Sequence, residues 1–357
     1  MSVVKRTLHP EAVRGAALTA FGTLLIAATY GMARFGVGLL HPAMAVERPG
    51  VAAELPSAGA AQFASYCLAA GVAALLVPRR SRAVAGAAGA VAGVGCLGLA
   101  FSTSAGWFVA SAFVAGAGAG LASPALVGLL DAVVPERMAS TAQAMVNAGT
   151  SVGVVGAGVL ATAVAAPSLA WPVMATLCLA TATAVVVLSS GTRFIDASPP
   201  RSERRLPPLT LPIVSALGAG VISSAAWTYG PTAVVARGAL EPDRVGLLWA
   251  AVGLGGLAGA FIDRPVSRWG PATTFLLCTT TLLVGSVAVL APQLEGRWWP
   301  LIGAACFGAA YMAMSGVLIL WSRLLDPQRG AALTAWLFIA LAVGQAVGAQ
   351  LLGTVFT

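Results

Sequence analysis

The chain has 357 residues, 58% hydrophobic and 9% charged, with 20 Lys and Arg against 12 Asp and Glu. Apolar residues come in runs of 18 or more, not in amphipathic stripes, which excludes a soluble globular enzyme and points to a polytopic membrane protein with the lipid bilayer as partner. The basic residues are spread over short loops without forming a patch, so the formal charge of +8 reads as membrane orientation and argues against nucleic acid as a partner.

In chain order, apolar segments fall at 14–43, 57–77, 83–101, 106–130, 140–165, 169–190, 211–236, 244–262, 271–291, 298–322 and 330–355, eleven candidate spans of an all-α protein. Glycine-rich runs without ten-residue alternation argue against a barrel. The basic start runs into the first segment without a cleavage site, so that segment is expected to stay as a span. Five cysteines lie scattered in apolar segments with no C-x-x-C pair, which indicates packing and neither a metal site nor a cofactor.

The longest polar interval, 191–210, is rich in proline and arginine and reads as a linker. A cytoplasmic N-terminus places fifteen Lys and Arg inside and four (Arg48, Arg237, Arg244, Arg297) outside, leaving Arg34 in the membrane. That asymmetry predicts a multi-pass protein of the cytoplasmic membrane with a cytoplasmic linker.

Internal repetition is visible at a shift of 192, which lays Trp107 on Trp299, Gly116 on Gly308, Arg137 on Arg329 and Gly156 on Gly348. Thr29-Tyr30-Gly31 recurs as Thr228-Tyr229-Gly230. The expected organisation is a duplicated six-helix unit: a bundle over 1–190, the linker 191–210, and a five-helix bundle over 211–357, the sixth helix of the second unit falling beyond the last residue.

Two halves in parallel repeat, a linker, and a short basic loop between the second and third span of each half resemble the major facilitator superfamily. Its loop motif is matched by Gly259, Asp263, Arg264, Arg268 and Gly270 in GAFIDRPVSRWG; the first half has VPRRSR, with Pro78 in place of the acid. ARFGVGLLHPAM resembles the first-helix signature ARF-x-x-G-LL-x-P-x-M of a bacterial permease branch. The resemblance implies two bundles enclosing a central cavity open alternately to either side, with Asp263 and Arg329 as a latch at the cytoplasmic gate.

Site candidates are the polar residues inside spans. Tyr30, Arg34 and His41 share one helical face of the first span, and no Asp or Glu sits in the middle of any span. Arg34 therefore has two readings: its partner is an anionic solute, with Tyr30 and Tyr229 adding hydrogen bonds or an aromatic wall, or it snorkels outward toward Glu47 or Glu54. In WTYGP, Pro231 frees the Trp227 carbonyl and is expected to break the helix, making Trp227 and Tyr229 candidates. Gln62, Tyr66, Asn147 and Gln345 are further polar candidates, and His41 is the candidate for proton coupling. Glycines 116, 118, 120, 149, 153, 156, 344 and 348 have the spacing of close helix contacts.

The leading expectation is a secondary active transporter of a small organic anion, with a coupling proton or ion as further partner. An exporter of amphipathic drugs or toxins, and a non-transporting receptor or scaffold, are the alternatives. An enzyme is not expected, since Ser315 has no histidine in an inner span and H-E-x-x-H is absent.

Overall fold

A computed structural model describes residues 10–356 apart from 165, 192–207, 292, 294, 295, 327 and 328. The expected linker lies almost wholly outside the described residues. Among the described residues the fold is all-helical, and ten helices are long and apolar enough to cross a membrane. The first half comprises α1 (Pro10–Ile26), a π-helical segment (Ala27–Arg34), α2 (Gly36–Glu47), α3 (Pro49–Ala52), α4 (Leu55–Phe101), α5 (Ala105–Val133), α6 (Glu136–Ala163) and α7 (Pro167–Leu188). The second comprises α8 (Thr210–Ser224), a π-helical segment (Ala225–Tyr229), α9 (Gly230–Ala236), α10 (Gly246–Gly256), α11 (Asp263–Trp269), α12 (Pro271–Leu290), α13 (Trp298–Leu325) and α14 (Gly330–Phe356).

The expected spans two and three are both helical and run on without a loop as the 47-residue α4. Straight, such a helix would extend about 70 Å, twice the hydrocarbon thickness. It is not straight. Arg80, two residues after Pro78, leaves helical geometry (φ −140°, ψ 30°). On either side of that break, Gln62 packs on Gly116 and Gly95 packs on Ala115, so the two arms of α4 flank α5 at one level and cross twice.

The repeated glycines explain how these helices come so close. A Cβ on Gly116 would lie 2.4 Å from the Gln62 carbonyl oxygen of α4, and one on Gly308 would lie 1.9 Å from that of Val252 in α10. Gly156 meets Met32 and Gly348 meets Ser224, again the first helix of each half. Duplicated glycines thus touch duplicated helices, and the absence of a side chain is what lets backbones interlock in lipid.

A second duplication escaped the sequence reading. Arg48 donates from Nη1 to the carbonyls of Leu99 (3.3 Å) and Ser102 (2.8 Å), while Arg237 donates to those of Ala288 (3.4 Å) and Ala291. The two arginines stand at the same offsets, 51 and 54 residues, from their acceptors. Each sits just past the first span of its half and caps the last carbonyls of the third, where a cation also meets the negative end of the helix dipole. Burial pulls Arg237 below its ordinary pKa. Arg14 does the same for α7, donating to Leu188 (2.6 Å) and Ser190.

Candidate functional site

The first helix of each half is interrupted at the same level by a π-helical turn, AATYGMAR in one and AAWTY in the other. A π turn carries an extra residue and re-aims its side chains. In the second half the interruption runs straight into α9, which has Pro231 in its first turn. Lacking an N–H, Pro231 leaves the Trp227 carbonyl without its α-helical partner. That carbonyl meets α2 instead: a Cβ on Gly38 would lie 2.3 Å from it. The expected break in the seventh span is present, and it serves a contact between the two halves.

Arg34 ends the first π segment and is 1% exposed. Its Nη2 donates to Oε1 of Gln345 on α14 at 3.0 Å. Gln345 in turn donates from Nε2 to the Tyr311 hydroxyl (3.1 Å) and Ser223 Oγ (3.3 Å). The guanidinium carbon lies 4.2 Å from the Tyr66 ring centroid, 4.5 Å from Tyr30, and 5.2 Å from both Phe35 and Phe63. Among the described residues, Nε and Nη1 have no hydrogen-bond partner. Outward snorkelling is not what this side chain does, and Glu47 is paired with Arg48 instead (3.7 Å).

Magnitudes show how the charge is tolerated. An arginine at the middle of a span costs roughly 2.5–3.5 kcal/mol on insertion scales. Desolvated cation–π contacts contribute about 2 kcal/mol each, so Tyr30 and Tyr66 together are of a size to offset that cost. They do not neutralise the charge. Ring faces stabilise the cation and leave in-plane N–H edges for another acceptor.

The other candidates divide. Gln62 is buried beside Arg34 and donates to the Ala33 carbonyl at 3.1 Å. Trp227 stacks on Phe35 with centroids 3.9 Å apart and planes 11° apart. Tyr229 is buried, but its hydroxyl donates to the Ala349 carbonyl of α14, so it forms no wall opposite Tyr30. Asn147 is exposed and accepts from Gln143 at 3.1 Å, outside the Arg34 cluster. His41 is buried, 6% exposed, and its Nδ1 lies 2.8 Å from Thr232 Oγ1 on α9. Phe35, Phe63, Ser223 and Tyr311 were missed as site residues. Tyr311 is the fourth of four tyrosines and had that signal alone.

The two halves meet where Gly158 packs on the Gly246 carbonyl and where His41 meets Thr232. Gly71, Val72, Ala74, Leu75 and Leu76 of α4 are exposed, as are Leu257, Ala258, Ala260 and Phe261 after α10. The residues expected to form a latch do not pair with one another. Asp263 is exposed and belongs to no ion pair among the described residues, and Arg329 pairs with Asp326 (3.8 Å) instead. Arg264 is exposed, and Arg268 lies over the Trp269 ring.

Solved structures share this architecture. A mutant of the nucleoside transporter NupG superposes with a TM-score of 0.72 at 10% identity, covering 95% of this chain and 91% of that one. A bacterial homologue of the human lysosomal transporter Spinster, inward-facing and unoccupied, gives 0.69 at 16% identity over 97% and 83%. The xylose transporter XylE from E. coli, in a partially occluded inward-open conformation, gives 0.66 at 14% over 96% and 92%. No curated protein matches by sequence. The family model of the Major Facilitator Superfamily matches residues 16–349. With nearly the whole chain matched and two duplicated halves meeting around a buried arginine, this is a multi-pass membrane protein that belongs to the Major Facilitator Superfamily of secondary transporters.

Proposed function

We propose that the chain moves a small organic anion across the cytoplasmic membrane by alternating access, its bundles over 1–190 and 211–357 rocking about the Arg34 level. The observation that carries this reading is the state of Arg34: fully buried, bonded only to a neutral amide, with two nitrogens unpartnered. A fixed cation without an internal counter-ion suits a solute that brings the negative charge with it.

With the linker on the cytoplasmic side, the outer end is closed by Gly38 against Trp227 and His41 against Thr232. Asp263 is then placed at the inner end, as a latch there requires. The exporter of amphiphiles would draw on the same aromatic residues, but it gives Arg34 no role.

Thermal stabilisation of the purified protein by a panel of small carboxylates, amines and neutral amphiphiles tests the reading. Carboxylates are expected to raise the melting temperature in wild type and to lose that effect in Arg34→Ala. Stabilisation by amphiphiles alone, equal in both proteins, would replace the anion reading with export.

A further inference from the structure

Resting on that reading, we infer that Trp227 is the specificity-determining wall of the Arg34 site, and that the cargo is a carboxylate with a flat apolar body, an aryl acid being the simplest case. Three observations single out this side chain in the core. Voids of about 10 Å³, near the least that holds one water, border Trp227 on two sides, one shared with Arg34, Gln62 and Thr228, the other with Trp249, Val252 and Phe307. Its backbone belongs to the π-helical segment. Its buried Nε1 has no acceptor.

A close-packed interior leaves few such defects, and here two of them border the same residue. Displacing the indole would join both voids through the volume it now fills. The resulting slot has the unpaired Arg34 nitrogens at one end and the Phe35 ring, now stacked by Trp227 at 3.9 Å, as its floor. A planar ligand can take over that stack while its carboxylate accepts from Arg34.

The polar inventory disfavours a hydroxyl-rich cargo. The unpartnered buried groups at the site are donors: Arg34 Nε and Nη1, Trp227 Nε1 and Trp249 Nε1. Among the acceptors, Gln345 Oε1 is already held by Arg34. A polyol brings several hydroxyl donors into a site with few acceptors, and each buried donor left unpaired costs affinity. A carboxylate is acceptor-only and matches.

The test uses the full chain in lipid nanodiscs, titrated with phenylacetate, naphthylacetate, acetate, gluconate and 2-phenylethanol, reading the shift in melting temperature for wild type, Arg34→Gln, Trp227→Ala and Trp227→Phe. Phenylacetate is expected to half-saturate at a concentration at least about tenfold below acetate. Gluconate and 2-phenylethanol should be inert, and Arg34→Gln should lose the response to every acid. Both Trp227 variants should move the preference toward naphthylacetate, by about tenfold in Trp227→Ala; if that protein does not fold, the direction in Trp227→Phe decides. Acetate or gluconate equal to phenylacetate would overturn the apolar-body inference and leave the anion site standing. An unchanged ranking in the folded Trp227 variants would remove Trp227 as the wall. No response to any carboxylate would remove the anion site itself, and this inference with it.

Discussion

Arg34 and Gln345, 311 positions apart, are joined by a 3.0 Å hydrogen bond that links the first span to the last helix across the two halves. The acceptor is an amide oxygen, which satisfies one N–H and leaves the positive charge uncancelled. A carboxylate in its place would add the attraction of a full opposite charge and a second, parallel hydrogen bond to the guanidinium fork. Solute and Gln345 can thus compete for the same cation, a direct way for binding on one half to loosen its hold on the other.

Supplying that carboxylate internally should therefore inhibit. Gln345→Glu is expected to raise the melting temperature and to reduce substrate exchange in proteoliposomes at least about tenfold, since the cation is already paired. Normal exchange in a stabilised Gln345→Glu protein would show that Arg34 does not meet the solute.

Arg34 itself should contribute to function at the expense of stability. Replacing a buried ion pair with apolar side chains of similar volume is often neutral or stabilising by about 1–4 kcal/mol, and removing Arg34, whose bonded partner is a neutral amide, strands no opposite charge. Arg34→Met is expected to melt at or above the wild-type temperature and to show no carboxylate-dependent transport. A collapsed yield or a large fall in melting temperature would assign Arg34 a structural role.

At the closed end, Gly38 is the residue that cannot change. Any side chain there meets the Trp227 carbonyl, a backbone atom that cannot swing away. Gly38→Val should push the two halves apart at that end. Cysteine placed at Thr232 should then label with a membrane-impermeant reagent several times faster than in the Gly38 background, and equal labelling would refute the closure.

The His41–Thr232 pair separates coupling from closure. His41→Gln can keep a hydrogen bond to Thr232 but cannot titrate. If His41 carries the coupling proton, this variant should lose accumulation driven by a pH gradient while retaining solute exchange. Undiminished accumulation would place coupling elsewhere.

The paired caps should behave alike. Arg48→Ala and Arg237→Ala each strip hydrogen bonds from the end of a third span, and each is expected to cost about 1–2 kcal/mol. The two share no partner, so the double variant should be additive in detergent melts. Unequal effects would show that the duplicated geometry is not energetically duplicated.

Much of this could be read in advance because the bilayer leaves few choices. Apolar runs specify helices, small residues at a spacing of four specify close contacts, and a lone arginine among apolar residues announces itself as costly. Gln62, Tyr66, Trp227 and Gln345 were visible in the same way, as polar or aromatic groups in apolar surroundings. Asn147 and Tyr229 carried the same signal and went elsewhere, one to an exposed face and the other to a carbonyl of α14. Polarity in a span reports that a partner is needed without saying which.

Composition and periodicity thus determined the class, the helices and the duplication, since these depend on local chemistry and on a solvent that rewards only satisfied backbones. Which polar groups meet was decided by the tertiary structure alone. Arg34 and Gln345 lie in different halves, and their encounter depends on two π-helical turns, glycines that admit neighbouring backbones, and arginine caps whose acceptors lie about fifty residues away. The hydrogen bonds among these are long-range contacts, and long-range partners are set by how helices pack, which no local pattern encodes.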